Sequence, residues 1–472
     1  IKQNLTTNNS NFFEAHIILA LDSLKKKDYK KSKKHLNKSS NYINNDRISL
    51  IIVETLKEYL FLFEEKKLPN LEQKFGNFSL VNEAFQRCYL DDKTTDNYFN
   101  KIVNGEDNSN YSRYIFFYIN YLINNDRYGE AKFITDKVDY LNSSLLTSQA
   151  KLWIDNQQIE EFKKVFSCKN SHDIISELFF IVANVYSSQN DYELSNFYLN
   201  ISYDLNPKFY FNLSLLAENY YFNEDYSKTL KILNSFKKKD IFFYWFKLKK
   251  KAQILSKQET NKVSLNFIIS KFKTIKDPSI KIIFDIANFY KKADEFKEAI
   301  YYYDQVISEI DISSPFYSEV LYRRGGSYER IGDYKNSDKD LLKSLEIDPD
   351  DAYVLNYLAY SWLERNYKID IALKMLEKAY QSKSNDAYII DSIGWAYYLT
   401  QDYTKAEKFL KRAVELMPDD PIVNDHYGDI LWKLNRKIEA KYYWQSALKH
   451  EDTENEMKIK ISKKLLIGLD ES

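Results

Sequence analysis

Apolar residues recur along this chain at the three-and-four spacing of one helix face, and toward the C-terminus that spacing itself repeats. Between 388 and 421, Ile390, Ile393 and Tyr397 form one stripe, interrupted by the small residue Gly394. A short polar turn, QDY at 401–403, then leads into a second stripe of Ala406, Leu410 and Ala413, which stops before Pro418. The pattern predicts two antiparallel helices. The next stretch places Tyr427-Gly428, Ala440, Trp444 and Ala447 at matching positions, and the preceding ones place Leu358-Ala359, Ala372 and Ala379, and Arg324-Gly325, Tyr328, Leu341 and Pro349. The small residues 325, 359, 394 and 428 are 34, 35 and 34 positions apart. Two helices approach closely only where Gly, Ala or Ser faces the partner, and large apolar side chains fill the rest of the stripe. Pro349 and Pro418 close the second helices, because Pro cannot continue a helix and biases the residue before it away from αR.

Upstream the register continues with weaker residues: Ile286-Ala287 with Tyr290 and Ala299, Leu216-Ala217 with Tyr220, and Val182-Ala183 with Tyr186 and a closing Pro207. Before residue 170 only fragments remain, such as Ala131 in NNDRYGEAKF and Ala20 ahead of Asp28-Tyr29. A turn marker recurs throughout, as KDY at 27–29, NDRY at 125–128, NDY at 190–192, EDY at 224–226, DEF at 294–296, GDY at 332–334 and QDY at 401–403. An Asp before the aromatic residue suits the N-cap of the second helix, whose first amides need an acceptor. The expected organisation is a disordered tail at 1–10, degenerate helical repeats at 11–275, well-formed repeats at 276–450 with units starting near 280, 318, 352, 387 and 421, and a capping helix and tail at 451–472. Ile459, Ile461, Leu465 and Leu466 would let that last helix cover the exposed end of the stack.

In spacing and residue type these units resemble the tetratricopeptide repeat, so the expected fold is all-α: a tetratricopeptide-repeat solenoid, a right-handed superhelix of antiparallel helix pairs. The segments LNYLAYSWLERN at 355–366, YIIDSIGWAYYLTQDYTKAEKFLKRAVELMPDDP at 388–421 and VNDHYGDILWKLNRKIEAKYYWQSAL at 423–448 are similar to a group of proteobacterial envelope proteins of this class. Many of that group are lipoproteins, and one is the adaptor of a periplasmic carboxyl-terminal processing protease. The resemblance implies a scaffold or adaptor, periplasmic or outer-membrane associated, with a protease or peptidoglycan hydrolase as partner. Ile1 is not an initiator Met, residues 1–10 are polar and the lipid-attachment cysteine of such lipoproteins is absent, so the sequence reads as a mature product or a fragment.

Composition narrows the chemistry. With 68 Lys+Arg against 68 Asp+Glu the formal charge is zero, which argues against a nucleic-acid partner or a polybasic membrane surface, since both need excess cations. Nine glycines form no phosphate-cradling motif. No apolar run reaches the ~20 residues of a spanning helix. The 58 Lys, 10 Arg, 40 Tyr and 30 Phe fit a bias toward A/T-rich codons, with aromatics filling ordinary core positions. Cys88 and Cys168 lie far apart, form no CxxC pair and read as separate buried thiols. The five histidines make no HExxH or His/Cys cluster, and His426, in NDHYGD, reads as a polar helix position rather than an acid/base or metal site. No cofactor, metal or catalytic residue is expected.

The resemblance implies that the first helix of each unit lines a concave binding face. At those positions stand Tyr322, Asn356, Tyr360, Asp391, Trp395, Tyr398, Asp425, Asp429 and Trp432, an aromatic groove with acidic points. Aromatic rings give contact area at small entropic cost, and Asn and Asp can hold an extended peptide's amides or a Lys/Arg side chain. A clamp for a C-terminal carboxylate would need cations where Gly326, Tyr360, Trp395 and Asp429 stand, so a neutral or basic segment is expected. The expected function is protein–protein scaffolding; the rivals are a helical-repeat glycan-binding or glycan-processing envelope protein and, disfavoured by the neutral charge, an RNA-associated repeat protein.

Overall fold

In five of the seven Asp-aromatic turns the carboxylate caps the helix that follows. Asp28, Asp191, Asp225, Asp333 and Asp402 each accept from the backbone N–H three residues on, at 3.0 to 3.2 Å in this computed structural model. In NDRY and DEF the Asp lies two residues ahead of the aromatic one, so Arg127 and Glu295 take the cap position and supply no side-chain bond. The turn is tight enough to force a left-handed residue ahead of each of the five capping aspartates, with φ of 58° at Lys27, 62° at Asn190, 58° at Glu224, 78° at Gly332 and 63° at Gln401.

The structure describes residues 12–43, 46–70, 75–104, 112–138, 143–450 and 453–469, and these contain helices and turns but no strand. The expected tail at 1–10 lies outside them. The chain divides into two units, 1–271 and 272–472. Among the described residues no helix is long and apolar enough to cross a membrane.

The first unit holds α1 (Phe13–Lys25), α2 (Tyr29–Ser39), α3 (Arg47–Glu65), α4 (Asn77–Leu90), α5 (Thr95–Val103), α6 (Ser112–Asn124), α7 (Tyr128–Asp136), α8 (Leu145–Asp155), α9 (Glu160–Val165), α10 (Ser171–Ser188), α11 (Tyr192–Leu205), α12 (Leu213–Phe222), α13 (Tyr226–Leu233), α14 (Ile241–Gln258) and α15 (Asn261–Phe272). Sequential helices pair, as in a repeat array, yet the unit also packs far beyond nearest neighbours. α3 lies on α10, and α14 lies on α8. Lys25 of α1 pairs with Asp204 of α11, and Arg113 of α6 donates to Glu177 of α10 and to the Asn212 side chain, at 2.7 and 2.6 Å. Helix lengths in this unit are uneven: α5, α7 and α9 have 9, 9 and 6 residues against 19 in α3 and 18 in α10. The same return of the chain corrects the reading of the cysteines. Cys88 and Cys168 are not separate thiols but a disulfide, their Cα atoms 5.9 Å apart across 80 residues of sequence.

The second unit is a regular stack: α16 (Ile280–Lys292) with α17 (Phe296–Glu309), α18 (Pro315–Arg330) with α19 (Tyr334–Ile347), α20 (Ala352–Glu364) with α21 (Ile369–Ser382), α22 (Ala387–Leu399) with α23 (Tyr403–Leu416), α24 (Pro421–Lys433) with α25 (Lys437–Lys449), and a final α26 (Asn455–Ile467). Asp351, Asp386 and Asp420 cap α20, α22 and α24 through their second and third amides. The glycines sit where the two helices of a unit touch. A Cβ on Gly394 would lie 2.7 Å from Cγ of Leu410 and 3.1 Å from its backbone N, and one on Gly428 would run into the Trp444 indole. Ala359, Leu376, Leu410 and Trp444 are fully buried in the resulting core.

Candidate functional site

The first helices of consecutive repeats touch one another, α18 on α20, α20 on α22 and α22 on α24, so their outward residues share one face. Between α20, α22 and the start of α24 that face opens into a cleft of about 300 Å³. Asn356, Tyr360 and Asp391 of the nine expected residues line it, joined by Tyr357, Ser361 and Tyr388, which the sequence reading did not single out. Tyr388, at the second position of α22, is 61% exposed and forms the open rim. On the floor, Asn356 Oδ1, Ser361 Oγ and Asp391 Oδ1 are buried without a hydrogen-bond partner. Unpaired buried acceptors cost about 1–3 kcal/mol each unless something bonds to them.

Asp391 is anchored from behind. Its other oxygen, Oδ2, takes the Nδ1–H of His426 at 2.8 Å, and both residues are buried, 4% and 6% exposed. The His426 ring lies parallel to Trp395, 4.1 Å between centroids, and Trp395 lies parallel to Tyr398 at 4.7 Å. Burial alone would lower the His426 pKa, but the carboxylate of Asp391 and those of Asp425 and Asp429 outweigh it and raise it above the ordinary value. An imidazolium on an indole face adds a cation–π attraction. His426 is therefore not a non-core polar position on α24, as its sequence context suggests; it is buried and ties consecutive repeats together along the shared face of the first helices.

The remaining expected groove residues divide. Tyr322 packs edge-on to Tyr357, 5.7 Å away, at the near end of the cleft. Asp425, Asp429 and Trp432 are engaged by the cap. Lys464 of α26 donates to Asp425 and Asp429 at 2.7 and 2.8 Å, Asp429 also accepts from Trp444 Nε1 at 2.9 Å, and the backbone at Gly468 lies against the Trp432 ring. Burial, then the charge of Asp425, push the Asp429 carboxyl above its ordinary range against the pull of Lys464. These three residues face the chain's own C-terminal segment, so the open part of the groove lies on α20 and α22, in the middle of the expected span. Lys464 was legible only as a Lys three positions after Ile461 on the stripe of a capping helix.

Residues 318–351 and 387–420 match the family model of the tetratricopeptide repeat. Over 110 residues the chain is 31% identical to a TPR repeat-containing protein of Pseudomonas aeruginosa, a match that covers 23% of this chain and 18% of that relative's length. Solved structures of similar proteins include MamA of Desulfovibrio magneticus, 20% identical over 37% of this chain and 97% of that one with a TM-score of 0.32. They also include a thermophilic TPR protein of Thermus thermophilus, 18% identical over 40% and 100% with a TM-score of 0.35. PilF of Pseudomonas aeruginosa is 17% identical over 39% and 83% with a TM-score of 0.33. The family model thus identifies residues 318–351 and 387–420 as tetratricopeptide repeats, and the helix pairs between and after them keep the same small-residue contacts.

Proposed function

We propose that this chain is a non-catalytic scaffold that holds an extended segment of a partner protein along the first helices of its C-terminal unit, as an adaptor in an envelope protease or cell-wall enzyme complex. The observation that carries this reading is the cleft between α20, α22 and α24, with half-buried rings on its walls and three unpartnered acceptors on its floor. An extended peptide brings donors of the kind those acceptors lack, its own N–H groups and side chains, and the rings supply apolar area from positions already fixed by packing. The Cys88–Cys168 disulfide supports the envelope location, because disulfides persist in oxidising compartments and are rare in the cytosol.

Affinity capture from an envelope extract of the source cells tests the proposal, with the intact chain compared with a variant carrying Tyr388→Ala and Ile422→Ala, two exposed residues of the cleft rim. Loss of a defined protease or cell-wall hydrolase from the variant, at unchanged helicity, is the expected result. Equal retention of the same proteins by both baits would contradict it.

A further inference from the structure

We propose that the cleft between α20 and α22 is a subsite for an arginine side chain of the bound segment. The inference rests on the scaffold reading above and specifies what its central pocket recognises.

Three observations carry it. The first is the state of Asp391, a residue of the cleft wall: its side chain is 6% exposed, Oδ2 is spent on His426, and Oδ1 is buried without a partner. A carboxylate oxygen accepts and cannot donate, so its complement is a donor, and a charged donor bonds it about twice as strongly as a neutral one. The second is charge. Behind the cleft, Asp391, Asp425 and Asp429 are set against His426 and Lys464, and around it Glu329, Glu364 and Asp420 are set against Arg330 and Lys291. Both inventories are short of cations, in a chain whose overall charge is zero. The third is shape. The acceptors Asn356 Oδ1, Ser361 Oγ and Asp391 Oδ1 come from two helices, with the rings of Tyr357 and Tyr360 beside them. A guanidinium offers five donors in one plane and stacks on aromatic faces, whereas an ammonium is a compact point donor that pays more to lose its water.

Fluorescein-labelled extended peptides of Gly and Ala with one central arginine, citrulline or lysine test the proposal. Citrulline keeps the shape of arginine and removes its charge. The intact chain should bind the arginine peptide at least about tenfold more tightly than the citrulline peptide, with lysine between them. Asp391→Asn should abolish the preference. Asn356→Leu, which leaves the His426 bond alone, should weaken arginine binding several-fold at unchanged helicity, and it decides the matter if Asp391→Asn fails to fold. Equal binding of arginine and citrulline, no measurable binding of either, or full arginine affinity in Asn356→Leu would overturn the subsite. Capture of a partner that depends on Tyr388 and Ile422, with no preference for arginine, would leave the scaffold standing and remove only this inference.

Discussion

Asp391 and His426 stand 35 positions apart in the sequence, one repeat, and their side chains meet at 2.8 Å under the ring of Trp395. The pair turns an array held by apolar contacts into one that also carries a charge-assisted bond between consecutive first helices, on the side where a partner would lie. Because the folded state raises the His426 pKa above 6.5, it holds the proton more tightly than the unfolded chain. The bond's contribution is complete below pH 6.5 and is lost as pH rises through the folded value. Thermal stability of the intact chain should therefore fall more steeply as pH rises above 6.5 than that of His426→Gln, by ~1.4 kcal/mol for each unit by which the pKa is raised. Parallel curves for the two proteins would contradict this.

The small-residue contacts predict opposite outcomes at two glycines. Gly394→Leu must displace Leu410, including its backbone, and should cost ~1–3 kcal/mol or more. Gly129→Ala, on α7 where an added Cβ meets nothing, should stabilise by ~0.5–1 kcal/mol. Denaturant titration of both variants checks the helix register directly.

The tight turns between paired helices hold non-glycine residues in a left-handed conformation that costs roughly 1–2 kcal/mol. Gln401→Gly should relieve part of that cost at φ 63°, and Gly332→Ala at φ 78° should add it. A rise in melting temperature for the first and a fall for the second is the expected pair of results.

Replacing Cys88 and Cys168 together with Ser removes a link that closes 80 residues of chain, and should lower the stability of the N-terminal unit by about 2–4 kcal/mol. Intact protein treated with reductant should melt like the double variant. Thiol labelling of the unreduced, unfolded protein should find neither cysteine reactive.

The C-terminal repeats were legible because each helix pair demands a small residue at one place, and Gly325, Ala359, Gly394 and Gly428 repeat that demand at nearly constant spacing. The caps were legible for a similar local reason, since Asp402 needs only the amide three residues away. Contacts between distant segments were not. The Cys88–Cys168 bond depends on the chain returning past α4 after 80 residues, a property of the packing of the whole unit rather than of a motif. The groove was half legible. Helical periodicity puts Asp425, Asp429 and Trp432 on the same side of α24, but nothing local to α24 announces that Lys464 and Gly468 will cover them. His426 was misjudged because its meaning lies in Asp391 and Trp395, one repeat away.

The central claim is that a partner protein lies across the first helices of the C-terminal unit. Site-specific photo-crosslinking in the envelope tests it most directly, with p-benzoyl-phenylalanine placed at Tyr388, the exposed rim of the cleft, and in a second protein at Tyr442, equally exposed on α25, the second helix of its repeat. One defined protein crosslinked from 388 and not from 442 is the predicted result. The same adduct from both positions, or an adduct from 442 alone, would contradict it.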